Sequence, residues 1–151
     1  MIRRAEVTDA GPLLGLMRQL AQFEGYDEYF AVTEADLIAR GLGRCEDAQF
    51  VAWVAEGDGV LQGYAVAYLV PFTFDLRPTV VLKELFVSGD SRGRRVGEQL
   101  FAEVLLYGKA RGARLLRWQV LPTNEAAQRF YGRLGGEHET AWQSWMLELT
   151  R

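Results

Sequence analysis

One cluster of charge in this chain sits where chemistry could use it. Ser91-Arg92-Gly93-Arg94-Arg95-Val96-Gly97 joins an apolar, β-rich run to an amphipathic helical run and packs three arginines at the helix start. A helix N-terminus already carries partial positive charge, so cations there are unfavourable without a compensating anion. The free N–H groups of a first helical turn, with Gly93 and Gly97 allowing close approach, suit a pyrophosphate, and the arginines add charge-assisted contacts. A solvated basic turn is the plainer alternative. No lysine followed by Ser or Thr completes a P-loop and no GxGxxG spacing follows the strand, which points to a nucleotide-bearing ligand of another type.

Two further groups carry charge into apolar surroundings. The run at 79–87 is apolar on both faces except at Lys83 and Glu84. Burial there raises the pKa of Glu84 and makes it a candidate general base, although a buried glutamate equally serves as a salt-bridge partner. Strand alternation puts Lys83 on the opposite face. Upstream, Phe23-Glu24-Gly25-Tyr26-Asp27-Glu28-Tyr29-Phe30 interleaves four aromatics with three carboxylates. Glu24, Tyr26, Asp27 and Glu28 there suit a cationic amine through charge pairing and cation–π contact, or form a solvated loop whose aromatics staple two helices to the core.

Composition narrows the chemistry. Cys45 is the only cysteine and His138 the only histidine, so a disulfide framework, a zinc cluster and a Ser-His-Asp triad are excluded by count. No metal is expected. The net charge of −3 disfavours a nucleic-acid surface. Arg3, Arg4, Glu6 and Asp9 interrupt any apolar signal core, and no run approaches membrane-spanning length, so a cytoplasmic protein is expected. The 151 residues suit a single domain over 1–151.

The elements that must position these residues read as follows. A short strand at 2–7 precedes an amphipathic helix opened by Thr8, Asp9 and Pro12, carrying Leu13, Leu16, Met17 and Leu20 and ending near Gly25. Thr33-Glu34-Ala35-Asp36 has the form of a capping box for a second helix reaching Gly41 or Gly43. Runs at 50–55 and 60–70 form a hairpin about Glu56-Gly57-Asp58-Gly59. The run at 79–87 is read as the central strand, followed by a helix at 93–110 and a strand at 114–121, which implies a parallel crossover. A helix at 124–134 closed by Gly135-Gly136 and a last strand through Trp142, Trp145, Leu147 and Leu149 complete the chain.

Arg92-Gly93-Arg94-Arg95-Val96-Gly97 after a strand resembles the RxxGxG signature of the GNAT acetyltransferases, with Arg95 in place of the middle glycine. A helix-entry conformation does not itself demand glycine at that position. Val120-Leu121-Pro122-Thr123-Asn124, followed by Ala126, Phe130-Tyr131 and Gly135, resembles the family's second signature of strand, asparagine, helix and tyrosine. In order and length the chain is similar to the diamine, spermidine/spermine and thialysine acetyltransferases, through Leu20-Ala21-Gln22-Phe23-Glu24, Leu82-Lys83-Glu84-Leu85-Phe86-Val87 and Gln128-Arg129-Phe130-Tyr131.

The resemblance implies an α/β (mixed α+β) GNAT fold: a twisted mixed sheet of about six to seven strands, splayed in the middle, with about four helices. It implies acetyl-CoA as co-substrate, its pantetheine arm in the splay between the strands ending at Val87 and Leu121 and pairing with backbone from Leu85 through Phe86 to Val87. It also implies a homodimer, and the Trp-rich C-terminal segment offers apolar surface for one or belongs to the core. The acceptor is a small-molecule primary amine such as a diamine, polyamine or thialysine-like amino acid. Lys83 stands where the polyamine enzymes carry a second acid. Protein lysines or N-termini as acceptors, and a CoA-binding module without turnover, are the competing functions.

An amine resembling lysine's has a pKa of about 10.4, so roughly one molecule in a thousand is neutral at pH 7. Glu84, through water, is the candidate to take its proton. Tyr131 lies seven residues after Asn124 on the same helical face and can protonate the departing CoA thiolate; alternatively Tyr131 packs and Asn124 is an N-cap. A backbone N–H near Phe86 or Val87 could stabilise the oxyanion.

Overall fold

The computed structural model describes residues 1–43, 47–71 and 73–150 in two compact units, Met1–Gln119 and Val120–Arg151. Cys45 lies outside the described residues.

In the first unit, β1 (Ile2–Arg4) leads through a short 3-10 turn into α1 (Ala10–Glu24). Pro12 falls in the first turn, where its missing N–H would have no helical partner, and Gly25 ends the helix in the left-handed region at φ 82°. At α2 (Glu34–Leu37), Asp36 N donates to Thr33 Oγ1 at 3.2 Å and Thr33 N donates to Asp36 Oδ2 at 2.9 Å; the helix runs on as a π-helical turn, Ile38–Leu42. The hairpin strands are β2 (Val51–Gly57) and β3 (Val60–Val70), turned by Asp58 and Gly59 with φ of 55° and 76°. β4 (Thr79–Val87), α3 (Val96–Ala110) and β5 (Leu115–Arg117) follow.

The sheet order is β1-β2-β3-β4-β5, antiparallel except for the parallel pair β4–β5 joined by the α3 crossover. β3, not β4, holds the middle, because the N-terminal hairpin adds its strands on one side only. Val54, Tyr64, Val66 and Phe86 pack with Leu13, Met17 and Leu20 of α1 in one core cluster. α3 covers the other face, with Tyr107 edge-on to Trp53 at 5.4 Å and Gly108 set against Val80.

Among the described residues five strands form where about six to seven are expected. β5 covers only three residues of the predicted 114–121, because β4 pairs with it from Thr79 to Val81 and no further; Trp118 packs edge-on against Phe101 of α3 instead. Beyond Val81, β4 has no strand on that side within this unit. The predicted last strand does not form: Trp142, Trp145, Met146, Leu147 and Leu149 are 80–90% exposed. Alternating side chains supply a strand's faces but not the partner edge that makes it one.

The second unit is built on α4 (Glu125–Arg133), capped by Asn124 and ended at Gly135 with φ 93°.

An ion pair fixes the entry to α1. Arg3 donates to both carboxylate oxygens of Asp9 at 2.8 and 2.9 Å and, through Nε, to Glu56 at 3.1 Å, while the Glu6 N–H donates to Asp9 at 2.7 Å. Asp9 is 6% exposed, and the hydrogen bonds from Arg3 hold its carboxyl below the usual range. A depressed folded pKa contributes stability above the ordinary carboxylate pKa and loses it as pH falls through the folded value. Asp9→Asn should therefore cost about 2 kcal/mol at pH 7, about 4–8 °C in Tm, with the deficit closing in acid; thermal melts from pH 3 to 7 measure this.

Candidate active site

The site begins with one unpaired residue. β4 and β3 pair as Val80↔Leu69 and Leu82↔Ala67, but then as Glu84↔Val66 and Phe86↔Tyr64, so Lys83 is the extra residue of a β-bulge. Before the bulge the even-numbered residues face α3; after it they face α1. Without the bulge Glu84 would lie opposite Ala65, toward α3. With it, Glu84 turns to the face that holds Val66, Tyr64 and α1.

There Glu84 meets a tyrosine. Tyr64 Oη donates to Glu84 Oε1 at 2.9 Å, and no ion pair closes on Glu84 among the described residues. Burial raises the Glu84 pKa and the charge of Glu24 adds to the rise; the Tyr64 hydrogen bond and the Lys83 charge work against it. Burial, then the charges of Glu84 and Glu24, pushes the Tyr26 phenol up to about 12. Burial and Glu84 likewise raise Tyr68 and carry Tyr64 far above the usual range. Three phenols therefore stay protonated beside a reluctant carboxylate.

Of the residues read from sequence, Glu24, Tyr26, Lys83 and Glu84 act on one another electrostatically in this group. The bulge interrupts the alternation expected to separate Lys83 from Glu84, and the Lys83 side chain is exposed. Asp27 and Glu28 sit on the exposed 3-10 turn Asp27–Tyr29; Asp27 lines a separate cavity of about 190 Å³ with Arg18, Ala21, Gln22 and Phe30. The sequence alone does not mark Tyr64, because pairing it with Glu84 requires the bulge.

The arginine-rich turn follows β4 after a 3-10 turn, Gly89–Ser91. Arg92 Nε donates to the Val87 carbonyl at 3.2 Å, and its guanidinium lies 5.8 Å from the Phe23 ring and 5.9 Å from the Phe86 ring. Arg92 thus joins the end of α1 to the end of β4. The predicted helix start at 93 moves to Val96, because Gly93 and Arg95 adopt left-handed φ of 83° and 61°. The substitution of Arg95 for glycine is therefore not conformationally neutral, contrary to the sequence expectation. No side chain caps α3, and a side-chain carbon at Gly93 would meet nothing within 4 Å. Uncapped N–H groups, open space over Gly93 and the exposed Arg94 and Arg95 fit a pyrophosphate. Val96 anchors the turn in the core at 7% exposure, and Gly97 follows in the first helical turn. Leu85, Phe86 and Val87 lie on the stretch of β4 that β5 leaves unpaired.

In the second unit Asn124 Oδ1 accepts from Ala127 N at 3.0 Å, so Asn124 caps α4, and Ala126 lies in the first turn. Tyr131 is partly buried, its ring 5.1 Å from Phe130. Among the described residues no group of three or more His, Cys, Asp or Glu is placed to hold a metal ion.

Comparison with known proteins bears on this arrangement. The profile of the acetyltransferase (GNAT) family matches residues 15–136. Thialysine N-epsilon-acetyltransferase of Bos taurus is 29% identical over 151 residues, covering 96% of this chain and 88% of the relative. An aminoglycoside N-acetyltransferase, AAC(6')-Iy, solved in complex with CoA, superposes with a TM-score of 0.71 at 25% identity over 98% of this chain and 99% of its own. A probable acetyltransferase at 20% identity reaches 0.84 over 100% and 99%, a likeness of fold.

Two stability measurements probe this geometry. The raised folded pKa of Glu84 contributes stability below the ordinary glutamate pKa and loses it as pH rises through the folded value. Glu84→Gln should melt higher than the parent at pH 8, with the gap narrowing toward pH 4. A left-handed arginine is strained relative to glycine, so Arg95→Gly should gain about 1 kcal/mol, or 2–4 °C in Tm, while Arg95→Ala should gain nothing.

Proposed function

From the premise that the chain belongs to the GNAT acetyltransferase family, we propose that it transfers an acetyl group from acetyl-CoA to the primary amine of a small molecule, with residues 1–151 acting as one catalytic domain. The observation that carries the acceptor class is the group around Glu84. Two carboxylates, Glu84 and Glu24, act on one another beside three tyrosines, with Lys83 adjacent on the bulge. Two negative charges and one positive charge complement an acceptor with two ammonium groups and one carboxylate. A thialysine-like amino acid has that pattern, and the bovine relative is named for it. A diamine or polyamine would leave Lys83 unmatched.

Acetyl-CoA supplies an electrophilic thioester carbonyl. This chain would hold its pyrophosphate on the uncapped start of α3, with Arg92, Gly93, Arg94, Arg95, Val96 and Gly97 around it. Backbone from Leu85 through Phe86 to Val87 would pair with the pantetheine, and the family resemblance assigns Asn124, Ala126 and Tyr131 as further cofactor contacts. Glu24 and Tyr26, with Asp27 and Glu28 nearby in sequence, would attract the acceptor ammonium. Glu84 would take the proton that the amine loses, directly or through water, as the nitrogen attacks the carbonyl carbon and the carbon–sulfur bond breaks. Tyr131 would give the leaving thiolate its proton.

The reading places the enzyme in the cytoplasm; among the described residues no helix is long and apolar enough to cross a membrane. It also includes a homodimer, supported by the exposed apolar run from Trp142 to Leu149, which a second copy would cover.

Release of free CoA thiol against lysine analogues, diamines, polyamines, aminoglycosides and a lysine peptide tests the proposal. Turnover should favour the lysine-like amino acids, and Glu84→Gln and Tyr131→Phe should each lower kcat about 100-fold or more. Lys83→Glu should move preference toward diamines. Turnover with the peptide alone would overturn the acceptor class, and failure of acetyl-CoA to raise Tm would overturn cofactor binding.

A further inference from the structure

Tyr64 is a fully buried residue in the middle strand, and its hydroxyl is committed to one carboxylate. Its ring packs against Phe86 at a centroid distance of 6.3 Å, and it is 0% exposed. A phenol hydroxyl at that depth is costly unless it donates, and it donates to Oε1 of Glu84 at 2.9 Å. The contact exists only because of the bulge, since the pairs Tyr64↔Phe86 and Val66↔Glu84 put the two residues on one face, two positions apart on neighbouring strands.

We propose that Tyr64 is a positioning residue that fixes the orientation and the proton affinity of Glu84, binding one carboxylate oxygen and leaving the other to receive a proton. The proposal rests on the reading of Glu84 as the base. The chemistry of the donor matters. An arginine or lysine partner would hold Glu84 ionised with little appetite for a proton. No partner at all would leave burial free to keep it protonated and unable to accept one. A neutral phenol falls between, orienting the anion without cancelling its charge. Tyr64 keeps its own proton throughout the working range, because burial and the Glu84 charge both oppose its ionisation. The titratable groups facing Glu84 are Tyr64 and Tyr68 from β3, Lys83 from β4, Glu24 from α1 and Tyr26 from the segment after α1.

The test follows the Glu84 carboxyl directly, by carbon NMR of protein labelled at the glutamate side chains, with the resonance assigned from its loss in Glu84→Gln. Tyr64→Phe should move the Glu84 midpoint upward by about one to two pH units, the worth of a hydrogen bond to a charged group. The acid limb of kcat/KM should move upward with it. An unmoved midpoint overturns the proposal whether or not the protein turns over, and a purely structural tyrosine would lower Tm while leaving the midpoint in place. A midpoint that moves while the acid limb stays fixed upholds the hydrogen bond but overturns Glu84 as the base, and with it the catalytic purpose assigned to Tyr64. Should Tyr64→Phe fail to fold, the parent protein decides. The Tyr64 hydroxyl proton should exchange slowly enough to be seen and should shift as Glu84 titrates; absence of that coupling overturns the proposal.

Discussion

The extra residue in β4 divides that strand into two halves with opposite duties. From Thr79 to Leu82 its even positions close the core under α3, in register with Ala67 and Leu69. Past Lys83 the same parity faces α1, which brings Glu84 and Phe86 onto the face of Tyr64. Without the bulge the acid would lie opposite Ala65, on the face that α3 covers. The bulge moves it to where a donor exists, and the cost of one unpaired residue is set against the cost of a buried carboxylate without a partner.

A second consequence of the same strand is its open edge. β5 follows β4 only from Thr79 to Val81, so the backbone from Leu82 onward, the stretch that carries Glu84, is not covered by a strand of the first unit. At the end of that edge the chain turns through Arg92, Gly93 and Arg95 into α3, and two left-handed residues aim the first helical turn. Arg92 spans from Val87 to Phe23 and so ties this turn to the end of α1, next to Glu24 and Tyr26. The carboxylate group and the arginine-rich turn are thus held by one short set of contacts.

Electrostatic restraint distinguishes buried Asp9 from half-buried Glu84. Asp9 is gripped by Arg3, which favours its ionised form, and fastens the start of α1. Glu84 has a phenol instead, and its proton affinity is raised by burial and moderated by that bond. One carboxylate is held as an anion by an arginine, while the other keeps a raised proton affinity beside a phenol.

By itself the sequence determined the helices α1 to α4, the strands β1 to β5 and the family. Periodicity located α1 and α3, the glycines at 135 and 136 closed α4, Glu56-Gly57-Asp58-Gly59 located the hairpin, and the arginine-rich turn marked a candidate anion site, because these depend on residues close together in the chain. Glu84 stood out as a charge in an apolar run, and its neighbours Glu24 and Tyr26 as charged and aromatic composition. Only the tertiary structure decided what those residues meet. The bulge at Lys83 is a property of two strands in register, so neither the face of Glu84 nor its bond to Tyr64 could be read from one strand. The left-handed backbone at Arg95 contradicts the preference of its side chain and is imposed by the turn between β4 and α3. The missing last strand and the short β5 make the same point: alternation specifies faces, while a strand also needs an edge to pair with, and that edge belongs to another part of the fold.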